Sequence, residues 1–351
     1  MASTVKIHAI PLLLITLLAS AVAGAEDQTS TECSNSGGTC LDKSKALKFK
    51  LIAIASILIA SLAGVLLPLF TRSIPALQPD KNPFSVVKAF ASGVILATGY
   101  MHVLPDSFDC LNSPCLPETP WRKFPFATFV AMLSAVATLM VDSFSMSYYR
   151  KQFPRQVAEE EAKINGGSEM LGHVGHGHGK VEEGVCGKGS NLIRHRVVAQ
   201  VLELGIVVHS VVIGLSMGAS DNPCTIRPLI AALCFHQLFE GMGLGGCILQ
   251  AEYGIKMKAI MVFFFSFTTP FGIALGIGLS NVYSDNSPTA LIVVGLLNAC
   301  SAGLLNYMAL VELLASDFMG SKLQASVKLQ IWSYSAVLLG AGGMSLMAKW
   351  A

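Results

Sequence analysis

The chain has 351 residues, of which only 13% are charged and 52% are hydrophobic, with a formal net charge of +2. A soluble protein of this size carries about twice that share of charge, and the mean hydropathy is +0.58. These values exclude a soluble enzyme, a fibre and a disordered regulator, and the small net charge gives no reason to expect nucleic acid as a partner.

Residues 1–25 hold Lys6, an apolar run from Leu12 to Ala23, and Ala23-Gly24-Ala25 before Glu26-Asp27. This is the pattern of a cleaved secretory signal peptide, too short to favour an uncleaved first anchor. An extracellular N-terminal segment, residues 26–50, then begins on the oxidising side of the membrane. There Cys33 can pair with Cys40, and Cys110 with Cys115.

Uncharged runs long enough for membrane helices follow at residues 51–71, 89–105 and 124–141. Five similar apolar runs lie at 204–220, 228–251, 259–284, 286–311 and 329–348. The expected fold is therefore an all-α integral membrane protein with eight transmembrane helices, three within 51–149 and five within 197–351. With an extracellular start, the inner loops hold fifteen Lys and Arg and the mature outer segments eight, as the positive-inside rule requires. Lys43, Lys45, Lys48 and Lys50, crowded before the first span, run against it. Both termini are expected outside, with Lys349 and Trp350 at the outer boundary.

Residues 150–196 form the one sizeable polar stretch, Gly-rich and carrying both signs of charge. They read as a flexible cytoplasmic loop. His173, His176 and His178 within it suit a weak metal site, the alternative being a polar linker with incidental histidines.

Ionisable groups inside spans are costly unless they have a partner, water or a ligand. The fourth span carries Glu203 and His209, and the fifth carries His236 and Glu240. His236 and Glu240, four residues apart, lie about 40° apart on one helical face. The antiparallel neighbour brings His209 to similar depth. Imidazoles and a carboxylate suit Zn2+ or Fe2+, and fewer than four protein ligands leave room for exchange, so the group reads as a pathway for a divalent ion. His102 and Asp106, near the outer end of the second span, read as an entrance. Asp142, Glu312 and Asp317 read as an exit or as solvated helix ends, and Asn298 and Asn306 as cavity-lining or helix-bridging groups. Because ligands must be deprotonated, uptake should fall at acidic pH.

The segments Ala91-Ser92-Gly93 to Asp106, His209-Ser210-Val211-Val212-Ile213-Gly214, His236-Gln237-Leu238-Phe239-Glu240-Gly241 and Asn298-Ala299-Cys300-Ser301-Ala302-Gly303 resemble the ZIP family of metal-ion transporters, in its plant iron and zinc uptake branch. The resemblance covers almost the whole chain. It implies that His209, His236 and Glu240 coordinate the transported Zn2+ or Fe2+, that Ser210 and Gln237 flank them, and that the ion moves into the cytosol. It also implies a 3+2+3 inverted-repeat bundle in the plasma membrane, with the bilayer as partner, a homodimer left open, and no cofactor beyond the ions carried. Ile213 stands where some members carry a bridging carboxylate. One principal site is therefore expected, with at most a weak second one at Ser210, Gln237 and Glu240. A metal-sensing receptor is the competing reading. An intramembrane metalloenzyme is disfavoured because the His-Glu-x-x-His arrangement is absent.

Overall fold

The computed structural model describes residues 42–71, 81–165, 183–280 and 287–348. The signal peptide, Cys33, Cys40, His173, His176, His178, Lys349 and Trp350 lie outside the described residues.

Eight long helices follow one another among the described residues: α1 Lys43–Thr71, α2 Asn82–Leu111, α3 Phe126–Asn165, α4 Glu183–Ala219, α5 Pro223–Gln250, α6 Ile255–Leu279, α7 Pro288–Phe318 and α8 Val327–Ala348. Among the described residues there is no strand. The helices α1 to α7 are, among the described residues, the seven long and apolar enough to cross a membrane; α8 has 22 residues and is not among them. Most helices outrun the apolar stretches that announce them. α3 continues to Asn165 and α4 begins at Glu183, so both reach into the 150–196 stretch expected to lack a fixed fold. Residues of high helix propensity such as Ala158, Glu159 and Ala162 favour the extension of α3.

The helices pack chiefly as α1 with α5, α4 with α6, α2 with α8 and α3 with α7. α4 is the most enclosed, 83% of its apolar window being buried against 17% for α3. The α4–α6 crossing shows how such closeness is reached. A Cβ on Gly214 would lie 2.7 Å from the Thr269 carbonyl oxygen and 3.0 Å from Gly272 Cα, and one on Gly276 would lie 2.7 Å from Gly218 Cα. Glycines spaced by four on both helices let the backbones touch, as in small-xxx-small membrane pairs.

Two helices are interrupted by π-helical turns, Gly99–Val103 in α2 and Met308–Ala315 in α7. The Leu104 N–H bonds to the Gly99 carbonyl, five residues back. The ladder is thus already widened where Pro105 enters, and a proline lacking its N–H is accommodated. α2 therefore runs on to Leu111, and Asp106 is not at a helix end, contrary to the sequence reading.

Call the end holding the start of α1 and the α2–α3 and α4–α5 connections the upper end. There Asp42 accepts from the Lys45 N–H at 3.0 Å and caps α1. That bond and the Lys45 ammonium hold the Asp42 carboxyl below its ordinary value. Asp221, in the α4–α5 connection, meets Lys50 at 3.5 Å and Lys43 at 3.6 Å. Two of the awkward lysines are thus neutralised by an acid of the same end. The expected Cys110–Cys115 bridge is corrected: Cys115 and Cys224 are each disulfide-bonded, whereas Cys110 is not. Cys110 sits in the last turn of α2 with its Cβ turned toward Gly295 of α7.

At the lower end, Lys88 of α2 donates to Asp317 of α7 at 2.9 Å and to Gln250 of α5 at 3.3 Å. Arg194 of α4 pairs with Glu312 of α7 at 3.2 Å. The Arg196 guanidinium donates to the Ala251 carbonyl, and the Tyr253 hydroxyl donates to the Arg196 carbonyl.

Candidate metal site

The middle of α2, α4 and α5 brings three imidazoles together. Ring centroids are 5.8 Å apart for His209 and His236, 5.9 Å for His102 and His236, and 6.3 Å for His102 and His209. All three side chains are buried, and Glu240, one turn beyond His236, is 0% exposed. The Thr98 hydroxyl, one turn before His102, lies beside the Glu240 carboxylate. On the fourth side stands α7, whose Asn306 side chain packs against Gly99.

The polar atoms here are buried and without partners: both nitrogens of His209, Nδ1 of His236, Nε2 of His102, both carboxylate oxygens of Glu240, the Ser210 hydroxyl and the Gln237 amide nitrogen. Buried polar groups in folded proteins nearly always have a partner, so a concentration of orphans in one place asks for a ligand. As it stands, no three His, Cys, Asp or Glu groups among the described residues close on a common point. With Zn–N bonds of about 2.1 Å, three imidazoles on a tetrahedral ion sit with centroids roughly 5 Å apart. The observed spacings of 5.8 to 6.3 Å exceed that by about 1 Å, within the reach of small side-chain adjustments.

Of the residues singled out in the sequence, His209, His236, Glu240, Ser210 and Gln237 all lie in this buried region. His102 lies there too, in the imidazole cluster itself. Asp106 is half-buried one turn above it. Reading Pro105 as a helix end hid this packing of His102; the Thr98-His102-Asp106 spacing of four was the available signal. Ile213 joins an apolar cluster with Ala53, Ile57, Met217, Leu233 and Ile273 and offers no donor. Glu203, buried with one unpartnered oxygen, lies six residues before His209 and so below it on α4.

Below the cluster the helices are packed with apolar side chains. Ile95 on α2, Leu202 and Ile206 on α4, Leu244 and Ile248 on α5, and Met308 and Leu313 on α7 belong to one buried core. Each of these stretches separates a residue at the level of the cluster from a residue of the lower ion pairs. Ten residues separate Glu240 from Gln250, about 15 Å along a helix.

The sequence pattern of the ZIP zinc transporters matches residues 47–348. The chain belongs to the ZIP family. It is 62% identical to rice Fe(2+) transport protein 1, over 97% of this chain and 93% of that one. It is 58% identical to probable zinc transporter 10 of Arabidopsis thaliana, over 97% and 96%, and 56% identical to Fe(2+) transport protein 1 of the same plant, again over 97% and 96%. This ZIP protein is accordingly a membrane transporter of divalent metal ions and not an enzyme.

Proposed function

We propose that the transporter carries Fe2+ and Zn2+ into the cytosol through one principal site formed by His102, His209, His236 and Glu240, with Ser210 and Gln237 beside it. The observation that carries this reading is the set of buried, unpartnered nitrogens and oxygens contributed by α2, α4 and α5. The named relatives, iron transporters in rice and Arabidopsis and a probable zinc transporter, support both ions as cargo.

The upper end is the outer one in this reading. The disulfide-bonded Cys115 and Cys224 both belong to that end, and disulfides persist on the oxidising side of a membrane. α8 is the eighth span, and both termini are then outside. The pairings α1–α5 with α4–α6, and α2–α8 with α3–α7, exchange under a swap of α1–α3 with α6–α8 and of α4 with α5, which supports the 3+2+3 inverted repeat. Such repeats suit alternating access around a midplane site. Outward-facing apolar residues such as Phe144 and Leu338 meet the bilayer, where a homodimer would cover part of that face. The plasma membrane is the proposed address, from the signal peptide and the branch resemblance.

A hydrated ion would pass Asp106, shed water at the imidazoles and Glu240, and leave toward Asp142, Glu312 and Asp317. The apolar core and the two ion pairs below the site close that exit here, so the arrangement fits an inward-closed state. His173, His176 and His178 would receive the ion on the cytosolic side.

Reconstitution into liposomes with competing labelled Fe2+ and Zn2+ tests the proposal. Saturable uptake of both, lost in His236→Ala with protein level intact, is expected. Binding without movement of more than one ion per protein would establish the receptor reading instead.

A further inference from the structure

We infer that the side-chain oxygen of Asn306, presented by α7 against Gly99, is a further donor to the ion held by the imidazole cluster, and that it biases the site toward Fe2+ over Zn2+. The inference rests on the site proposed above and deepens it by naming a determinant of ion choice.

Three observations carry it. The first is position. A Cβ on Gly99 would collide with the Asn306 oxygen and lie 3.0 Å from its Cγ. Gly99 follows Thr98, which lies beside Glu240, and opens the π-helical turn that carries His102. Asn306 is therefore a polar group of α7 set against the start of the turn that carries His102.

The second is the state of the oxygen. Asn306 is 9% exposed and its Oδ1 has no hydrogen-bond partner. The plain alternative is a polar group joining helices, and this protein shows what such groups look like. Ser107 donates to the Gly295 carbonyl at 2.7 Å, Ser134 to the Cys300 carbonyl at 2.8 Å, and Ser301 to the Gly205 carbonyl at 3.1 Å. Each of those bridges involves α7 and each is satisfied. The Asn306 oxygen is not, and an unpaired buried amide oxygen is destabilising unless something binds to it.

The third is donor chemistry. Three imidazoles and one carboxylate already make the four-coordinate set that Zn2+ adopts. A neutral amide oxygen as a fifth donor raises the coordination number and adds a harder ligand, which suits Fe2+ better than a tetrahedral ion. The position 213 isoleucine supplies no oxygen, and Asn306 is the α7 residue whose amide oxygen is buried and unpartnered.

The test uses Co2+ as a spectroscopic probe on the full-length protein in nanodiscs, together with Fe2+ and Zn2+ uptake in liposomes. Asn306→Leu should intensify the visible Co2+ band, as happens when a five-coordinate ion becomes four-coordinate, and should lower the Fe2+-to-Zn2+ uptake ratio by about tenfold. Asn306→Asp, which keeps an oxygen, should retain the wild-type band and ratio or move the ratio toward Fe2+. An Asn306→Leu protein with an unchanged band and an unchanged ratio overturns the inference while leaving the imidazole site standing. A wild-type protein that gives no Co2+ band overturns the site and this inference with it.

Discussion

Lys88 and Asp317 are joined at 2.9 Å across the lower end of the bundle, with the lysine side chain only 6% exposed. A buried ion pair adds little net stability over an apolar one, but losing a single partner strands the other charge. The pair therefore acts more as a device holding α2 to α7 than as a source of stability. Its neighbour, Arg194 with Glu312, holds α4 to the same helix.

Lys88→Met should shift the transporter toward an inward-open state. A hydrogen bond to a charged group contributes about 1.5 to 3 kcal/mol, so inner-side labelling of a cysteine introduced at Ala309 should rise by roughly tenfold or more. The exchange of Lys88 for Asp together with Asp317 for Lys should return labelling to the wild-type rate. Equal labelling in all three proteins would mean that the pair does not close the exit.

His102→Ala distinguishes a ligand in the cluster from a residue at the entrance. A ligand role predicts a weakening of Zn2+ binding comparable to that in His209→Ala, at least about 10-fold, measured by calorimetry on the purified protein. A Kd within twofold of wild type would return His102 to the entrance.

Cys115 and Cys224 provide a test of orientation. A membrane-impermeant reductant applied to intact cells should make both available to a thiol label, and the same reagent confined to the cytosolic side should not. Labelling from the cytosolic side alone would invert the topology.

Gly214→Leu should loosen the α4–α6 crossing, since its Cβ would approach the Thr269 carbonyl oxygen to 2.7 Å. Overpacking of this kind costs about 1 to 3 kcal/mol. A lower thermal midpoint in detergent, with reduced uptake because His209 rides on the same helix, is the expected result; an unchanged midpoint would show that the helices can separate freely.

Much of the candidate site was legible because membrane chemistry is strict. His209, His236 and Glu240 stand out as ionisable groups in apolar runs, and the four-residue spacing of the last two fixes their common face. His102 was visible as a residue but its place beside His209 and His236 was not, since the π-helical turn that lets α2 continue through Pro105 leaves no simple mark in the sequence. The lower ion pairs were not legible at all. Lys88 and Asp317 are 229 residues apart, Arg194 and Glu312 are 118 apart, and nothing local joins them. The crowd of lysines in the first two turns of α1 misled for the same reason, because Asp221 lies far along the chain.

The π-helical turn Gly99–Val103 closes on a hydrogen bond that reaches five residues back, one residue more than an α-turn holds. Losing one residue there would let the turn close as plain α-helix and leave Asp106 on the side of α2 that carries Thr98, so the turn stores a spare residue of length inside a stiff rod.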